Sequence, residues 1–453
     1  MTPAKNRGPT ARSVAAEVLV RVERDGAFAA AALDAELGRA RQLDARDRGL
    51  ATELVYGTLR VMPWIVARLS DHAKRGIVSL DPRTRANLCI ATYQLFFLEK
   101  VPSFAAVSEA VDAVRHVNGP KVAAFANAVL RKLSAIADAA RASGKSAPDD
   151  AAIIASTPPW IRDALARALG EEGAAAYLAN TLQVPPMCLR VERAEERATW
   201  LARLREAGVE GAVFELGQVS PHAILARGSG RFDLLPGHSD GAWSVQEEGS
   251  QLVALALGAR PGEQVLDACA GRGNKTAVLA RGVGPNGAVD AADLHPAKLE
   301  RLRSELGRLK LSVRSTYPVD WAVGSGDVGA SYDRVLVDAP CSGIGTLRRR
   351  PELLARRAVQ DLTSLEPLQL AIVARAAEHV KPGGRLVYAV CSVLREEGED
   401  VIEKLRARMP RLVPAPFEGA AARAIAGDAP TLRLLPHVHG TDGYFLASFR
   451  AEE

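Results

Sequence analysis

From about residue 243 the chain switches repeatedly between short apolar runs and longer stretches of helical spacing. "EQVLDACA", "GAVDAAD", "LSVRSTYPVD", "YDRVLVDAP" and "GRLVYAVCS" read as strands. "NKTAVLARGV", "PAKLERLRSELGRL", "LTSLEPLQLAIVARAAEHV" and "EGEDVIEKLRARM" read as the helices between them, and "TLRLLP" and "GYFLASF" close the chain as strands. "YDRVLVD" is almost continuously apolar, as a parallel strand covered on both faces must be. Such alternation specifies a doubly wound, mostly parallel sheet, a Rossmann-like α/β domain over residues 243–453. Its ligands are expected at the carboxyl ends of the strands, where the Asp- and Cys-bearing turns all fall.

With 453 residues the chain is too long for one compact domain. Residues 1–140 read as helices nearly throughout. "SVAAEVLVRVERDG" ends at a glycine, "DARDRGLATELVYGTLRVMPWIVARLSDH" has Asp44 as its N-cap, and "DPRTRANLCIATYQLFFLEKVP" carries Pro82 in its first turn. "FAAVSEAVDAVRHVNG" and "KVAAFANAVLRKLSAIADAARASG" complete an all-α bundle. Residues 141–155 have the small, polar composition of a linker. Residues 156–242 mix a helix, "PPWIRDALARALG", with the strand-like "MCLRVE" and "HAILARG", a small α/β module.

Net charge is +5, and residues 1–140 hold 20 Lys and Arg against 14 Asp and Glu, an excess of 20 − 14 = 6. The basic excess therefore sits in the helical third and suits a polyanionic partner. No apolar run is long enough to span a bilayer, and the polar, basic start "MTPAKNRGPTARS" lacks the apolar centre of a secretory signal. A cytoplasmic location and a monomer are the expectations. The five cysteines are far apart with no C-x-x-C, which favours free thiols over disulfides or zinc. The "HVH" of residues 437–439 offers no evident third ligand, so no metal is expected.

Four strand-end turns carry chemistry. "LDACAGRGNKT" lacks the third glycine of a dinucleotide loop, and Asn274 stands between Gly273 and Lys275, where a P-loop needs Gly-Lys. A small turn of this kind also suits S-adenosylmethionine (SAM), letting backbone approach the methionine part. Asp293, closing "AVDAAD", is placed to accept ribose hydroxyls; it is also the residue type that caps the next helix. Asp320 could contact an adenine amine, and Trp321 offers either a stacking face or packing. Enzymes that methylate exocyclic amines carry Asp-Pro-Pro-Tyr at the fourth turn; here "DAPCSG" offers Asp338 and a thiol, Cys341. A second thiol, Cys391, ends the next strand in "YAVCS". A lone cysteine is usually core. Two at neighbouring strand ends, each followed by serine, are hard to explain by packing. A thiol addition to C6 of cytosine would make C5 nucleophilic enough to take a methyl group, after which a base removes the C5 proton and the thiol leaves.

The motifs "LDACA..G.KT", "DAPCSG.G..RR.PE" and "LVYAVCSVL.EE" resemble the 5-methylcytosine RNA methyltransferases, specifically the ribosomal RsmB (Fmu, Sun) type. "DRGLATELVYGTLR" and "FANAVLRKL" resemble that family's NusB-like RNA-binding domain, and "PPWI" and "PPMCLRVE" its middle module. The resemblance spans nearly the whole chain. It implies that Cys391 is the nucleophile, that Cys341 helps the methylated product leave, that Asp338 holds the cytosine edge beside SAM, and that Lys275 lies by the active-site carboxylates. It further implies that SAM is bound by Cys269, Ala270, Gly271, Arg272, Gly273, Asn274 and Lys275 together with Asp293, Asp320 and Asp338. The substrate would be small-subunit ribosomal RNA at an unstacked loop or single-stranded cytosine.

One departure stands out. The family usually has Ala-Pro-Gly-Gly-Lys where this chain has Gly271-Arg272-Gly273-Asn274-Lys275. SAM binding is expected to survive, with Arg272 facing solvent. Arg348, Arg349 and Arg350 are either an RNA-phosphate clamp beside the target base or a solvated basic run; their place after the thiol loop favours RNA. Rival readings are a transfer-RNA cytosine methyltransferase, against which the NusB-like extension argues, and an RNA-binding assembly factor with an inactive catalytic domain, against which the thiol pair argues. A DNA enzyme would need a Glu-Asn-Val motif, which the sequence lacks.

Overall fold

The computed structural model describes residues 8–73, 76–144, 148–329 and 331–452. Residues 1–7, 74–75, 145–147, 330 and 453, which fall in the expected helical domain, linker and C-terminal domain, lie outside the described residues. The chain divides into two compact units. The first takes residues up to Asp163, Leu178–Gln183 and Leu347–Arg357; the second takes Ala164–Tyr177, Val184–Thr346 and Ala358 onwards.

The first unit is helical. Its helices Ala11–Arg24, Ala45–Arg60 and Pro82–Phe97 begin at side-chain caps from Thr10, Asp44 and Asp81, each accepting first-turn N–H groups that have no partner inside the helix. The long helix Ser103–Ala142 breaks at Gly119, whose φ of 77° precedes Pro120. That is why two separate helical stretches are legible there. Leu54, Ile65, Leu69, Leu95 and Leu130 are among the buried side chains that pack the centre. Gly57 permits close approach of two helices, because a Cβ there would lie 2.2 Å from the Tyr93 ring.

The segment Leu347–Arg357 belongs to this helical unit although it follows the fourth-strand turn of the other unit. Arg60 donates to the Arg348 carbonyl (3.3 Å), and the Glu352 carboxylate accepts the N–H of Ala29 (3.2 Å) at the start of helix Ala29–Arg39. A negative group at a helix N-terminus satisfies an orphan donor and complements the helix dipole.

The second unit holds two sheets. The small one is antiparallel, in the order β2-β3-β1-β4, from β1 (Met187–Val191), β2 (Val213–Leu216), β3 (Ala223–Arg227) and β4 (Trp243–Val245). It closes over Leu189, Leu204, Ile224 and Trp243. The large sheet contains β5 (Gln264–Asp267), β6 (Ala288–Asp293), β7 (Ser315–Pro318), β8 (Tyr332–Asp338), β9 (Val380–Val390), β10 (Leu412–Pro414), β11 (Thr431–Leu434) and β12 (Tyr444–Ala451). Its main path is β10-β12-β9-β8-β5-β6-β7, with β11 on β12. β9, β8, β5, β6 and β7 run parallel, while β10, β11 and β12 add an antiparallel edge. This is the expected doubly wound, mostly parallel sheet. Leu266, Val335, Val337, Leu386 and Tyr388 are buried along its central strands. Strand order reverses between β5 and β8, and a crevice is required at that switch point.

Candidate active site

The turn after β5 opens directly into helix Asn274–Val283. Gly271 and Gly273 adopt φ of 57° and 91°, a region that costs a side-chain-bearing residue strain. At Gly273 a Cβ would also meet the Leu302 side chain at 2.8 Å. The two glycines thus supply the backbone freedom that this atypical loop needs, and Arg272 between them is exposed. Ala270 is buried and donates to the Ala292 carbonyl (2.8 Å), pinning the turn to β6. Asn274 starts the helix, its carbonyl accepting from Arg190 (2.6 Å).

Asp293, at the end of β6, does not cap helix Pro296–Arg308, whose N-cap residue is His295 with no side-chain cap bond; the Asp293 carboxylate braces the turns instead. One oxygen accepts the N–H of Gly271 (3.0 Å); the other accepts the N–H of His295 (2.9 Å) and pairs with Lys298 (3.3 Å). A carboxylate offers about four acceptor sites, so room remains for hydroxyls. Asp320 is exposed and accepts the N–H of Ala322 (2.9 Å). Trp321 is buried and donates to the Ala268 carbonyl (2.7 Å), which makes it packing that also walls the site.

Cys269, Gly271, Asp293, Asp320 and Asp338 line one cavity of about 230 Å³ at the strand carboxyl ends, with Leu294, Val319 and Ile372 as apolar walls. A larger cleft of about 510 Å³ lies beside Val283, Gly287 and Lys310 at the opposite end of β6, away from every thiol and strand-end acid. The smaller cavity is the one lined by the strand-end acids and the β5 turn. Its donor set suits SAM: carboxylates for ribose and amine, small residues at the turn, apolar walls for a base.

Asp338 connects the cavity to the thiols. Lys275 donates to it at 2.6 Å, and both groups are largely buried. Burial pulls the Lys275 ammonium down, but the Asp338 charge and hydrogen bond, with Cys391 and Asp267 nearby, outweigh it and leave Lys275 above its usual range. Cys341 Sγ lies 3.1 Å from Cys391 Sγ. The Cys391 hydrogen bond, then burial and the surrounding acids, push the Cys341 thiol well up. Burial does the same to Cys269, aided by Asp338, Asp267 and Asp293. Cys341 is therefore held as a thiol.

The arginine run does not form one solvent-facing patch. Arg348 is only 5% exposed within the helical unit, Arg349 is half-buried and Arg350 is exposed. A clamp made of all three is corrected by that burial. Arg350 and Arg356 instead approach the ring of Phe28, at 5.4 and 4.8 Å, and Phe28 is 47% exposed.

Sequence reasoning passed over Asp267, Lys298, Gln369 and Glu397. Asp267 closes β5 fully buried and accepts from Thr276 (2.7 Å); burial lifts its carboxyl to about 7. The strand-ending acid was the signal for it. Glu397 had the paired glutamates of "REEGED" as its signal, and Gln369 had none. Among the described residues no group of side chains could hold a metal ion, and no helix is long and apolar enough to cross a membrane.

Three family models match successive parts of the chain: the NusB family over residues 9–135, the RsmF/B-like ferredoxin-like domain over 157–229, and the 16S rRNA methyltransferase RsmB/F over 254–450. The probable ribosomal RNA small subunit methyltransferase B of Bacillus subtilis (strain 168) is 32% identical, covering 97% of this chain and 98% of that protein. The chain belongs to the RsmB/F family of rRNA methyltransferases. The ribosomal RNA small subunit methyltransferase B of Pseudomonas syringae pv. tomato is likewise 32% identical, over 96% of each chain. The fold of this RsmB/F-family chain is shared with the crystal structure of PH0851, at a TM-score of 0.81 and 23% identity over 99% of this chain and 100% of that one. The protein is an RNA methyltransferase.

Proposed function

We propose that this enzyme methylates C5 of a cytosine in small-subunit ribosomal RNA through a covalent bond between Cys391 and C6. The observation that carries the reading is the pair of thiols 3.1 Å apart beside the Lys275–Asp338 ion pair, at the carboxyl ends of β8 and β9. An amine methyltransferase has no use for either sulfur, whereas C5 of cytosine is too poor a nucleophile without one.

SAM, when bound, supplies an electrophilic methyl group. Gly271, Asp293, Asp320 and Cys269 would hold it in the cavity that ends at Asp338. Asp338 holds the cytosine edge. Cys391, as thiolate, adds to C6 and pushes electron density to C5, which takes the methyl group. A base then removes the C5 proton, the electrons return to the ring, and the C6–S bond breaks. Cys341, kept protonated by its surroundings, is suited to assist that release from 3.1 Å away. Lys275 holds the Asp338 carboxylate in place through their ion pair.

The target base must leave its stack to expose C6, so an unpaired cytosine is the substrate. In the helical unit, Phe28 flanked by Arg350 and Arg356 combines an aromatic face with two cations, the pairing that suits single-stranded RNA.

Two experiments test this reading. Bisulfite sequencing of ribosomal RNA from a deletion strain should show one small-subunit cytosine losing its mark; loss at a transfer-RNA cytosine instead would move the substrate. Cys391→Ala should abolish transfer and leave no adduct, while Cys341→Ala should accumulate protein–RNA adduct stable in denaturing gels. The reverse pattern would exchange the two roles.

A further inference from the structure

β8 and β9 are held in register up to the pair Asp338 and Ala389, and the ladder stops there. Cys341 and Cys391 both lie beyond that point, on separate loops. Something other than the sheet must fix one sulfur against the other.

The buried side chain of Glu397 spans the two loops. It stands six residues after Cys391, fully shielded from solvent. Its Oε1 accepts the backbone N–H of Ser342 (2.7 Å), the neighbour of Cys341, and its Oε2 accepts the Ser342 hydroxyl (2.5 Å). Gln369 donates to Glu397 Oε1 (3.0 Å) and to the carbonyl of Pro340 (3.0 Å), so it grips the same loop on the other side of Cys341. Tyr388 donates to the Glu397 carbonyl (2.7 Å), fixing the glutamate's backbone to β9. In return, the N–H of Gly345 donates to the Cys391 carbonyl (3.0 Å).

A buried carboxylate is costly unless donors converge on it. Here three donors do, from Ser342 N–H, Ser342 O–H and the Gln369 amide. A carboxylate can accept all three; a glutamine of the same size must turn its own NH₂ toward one of them. Packing alone would be served equally by either, so the three converging donors mark a geometric task.

We infer that Glu397 and Gln369 are positioning residues that clasp the Cys341 loop to the Cys391 loop and set the two sulfurs for methyl transfer and release. The second half of this inference rests on the covalent reading above; the clasp itself does not. Neither residue touches the reacting atoms. Their action passes through Pro340, Ser342 and the thiols.

The test uses the full chain and two readouts. Diamide treatment links Cys341 to Cys391, two thiols giving one disulfide as the diazene is reduced to its hydrazine, and mass spectrometry of the linked peptides gives the rate. Glu397→Gln should slow this linking by roughly tenfold or more, since its mispaired amide lets the loops separate. In single-turnover methylation of in vitro-transcribed small-subunit ribosomal RNA, the same variant should lose on the order of 10- to 100-fold in rate. The KM values for RNA and SAM should stay within about twofold, because the lost interactions orient thiols rather than bind substrate. Ser342→Ala should cost less than Glu397→Gln, and its effect should be smaller in the Glu397→Gln background, since the two share the hydroxyl contact. If Glu397→Gln does not fold, Ser342→Ala and Gln369→Leu carry the same comparison. Linking at the wild-type rate, or a loss expressed only in KM, overturns the clasp. A wild-type chain that methylates no RNA, yet whose linking slows in Glu397→Gln, refutes the covalent reading and leaves the clasp standing.

Discussion

Asp267 ties the site to the stability of its own unit, in a direction that can be measured. The carboxyl closes β5 with no exposed surface, and burial raises it from 3.8 to about 7 despite the Thr276 hydrogen bond and the nearby Lys275. Below about pH 4 the group is protonated in folded and unfolded chains alike. Between about 4 and 7 the unfolded chain releases the proton and the folded chain keeps it. The folded state then binds more protons, so stability falls as pH rises through this window. The fall is about 1.4 kcal/mol for each pH unit crossed, on the order of 4 kcal/mol in all by pH 7. Asp267→Asn cannot ionise and its amide oxygen can still accept from Thr276. Urea unfolding of wild type and Asp267→Asn at pH 5, 6 and 7.5 should show the variant gaining on the wild type by about 3 kcal/mol across that range. A constant difference between the two proteins would mean that Asp267 is ionised throughout, held by its neighbours, and the reasoning from burial would fail.

Asp293→Ala removes the acceptor for the N–H groups of Gly271 and His295 and the partner of Lys298; affinity for S-adenosylhomocysteine should fall at least about tenfold by calorimetry, and the melting temperature of the apo chain should fall with it. Gly57→Ala forces a Cβ into the Tyr93 ring and should cost about 1–3 kcal/mol, seen as a lowered thermal midpoint. Glu352→Ala strips the cap from Ala29 N–H and should destabilise the helical unit by about 1–2 kcal/mol, measured by urea titration. Phe28→Ala should raise KM for RNA several-fold while leaving the single-turnover rate at saturating RNA intact.

The fold was legible because each level of the chain agrees with the next. Period-two and period-3.6 patterns alternate cleanly after residue 243, so the parallel order of the central strands follows from the alternation together with the hand of β–α–β crossovers. The strand-end acids and thiols were legible for the same reason: a polar residue that ends an apolar run is already placed at the crevice. What stayed hidden depends on the third dimension. Gln369 lies mid-helix in "EPLQLAIV", indistinguishable from a surface glutamine until the helix is seen to face the loop of Pro340. Arg348 looked like its two neighbours, yet the short turn after Thr346 carries its backbone to Arg60 and buries it in the helical unit. A run of three like charges has one composition but three environments, and only packing assigns them. The thiol pair shows the same limit from the other side. The sequence separates Cys341 and Cys391 by fifty residues and says only that both end neighbouring strands. The 3.1 Å between the sulfurs is set by a carboxylate that belongs to neither strand. The pattern thus exposes the strand-end acids and thiols and conceals the side chains that join their loops, which is why substitutions at Glu397 and Gln369 are the more informative probes of the site.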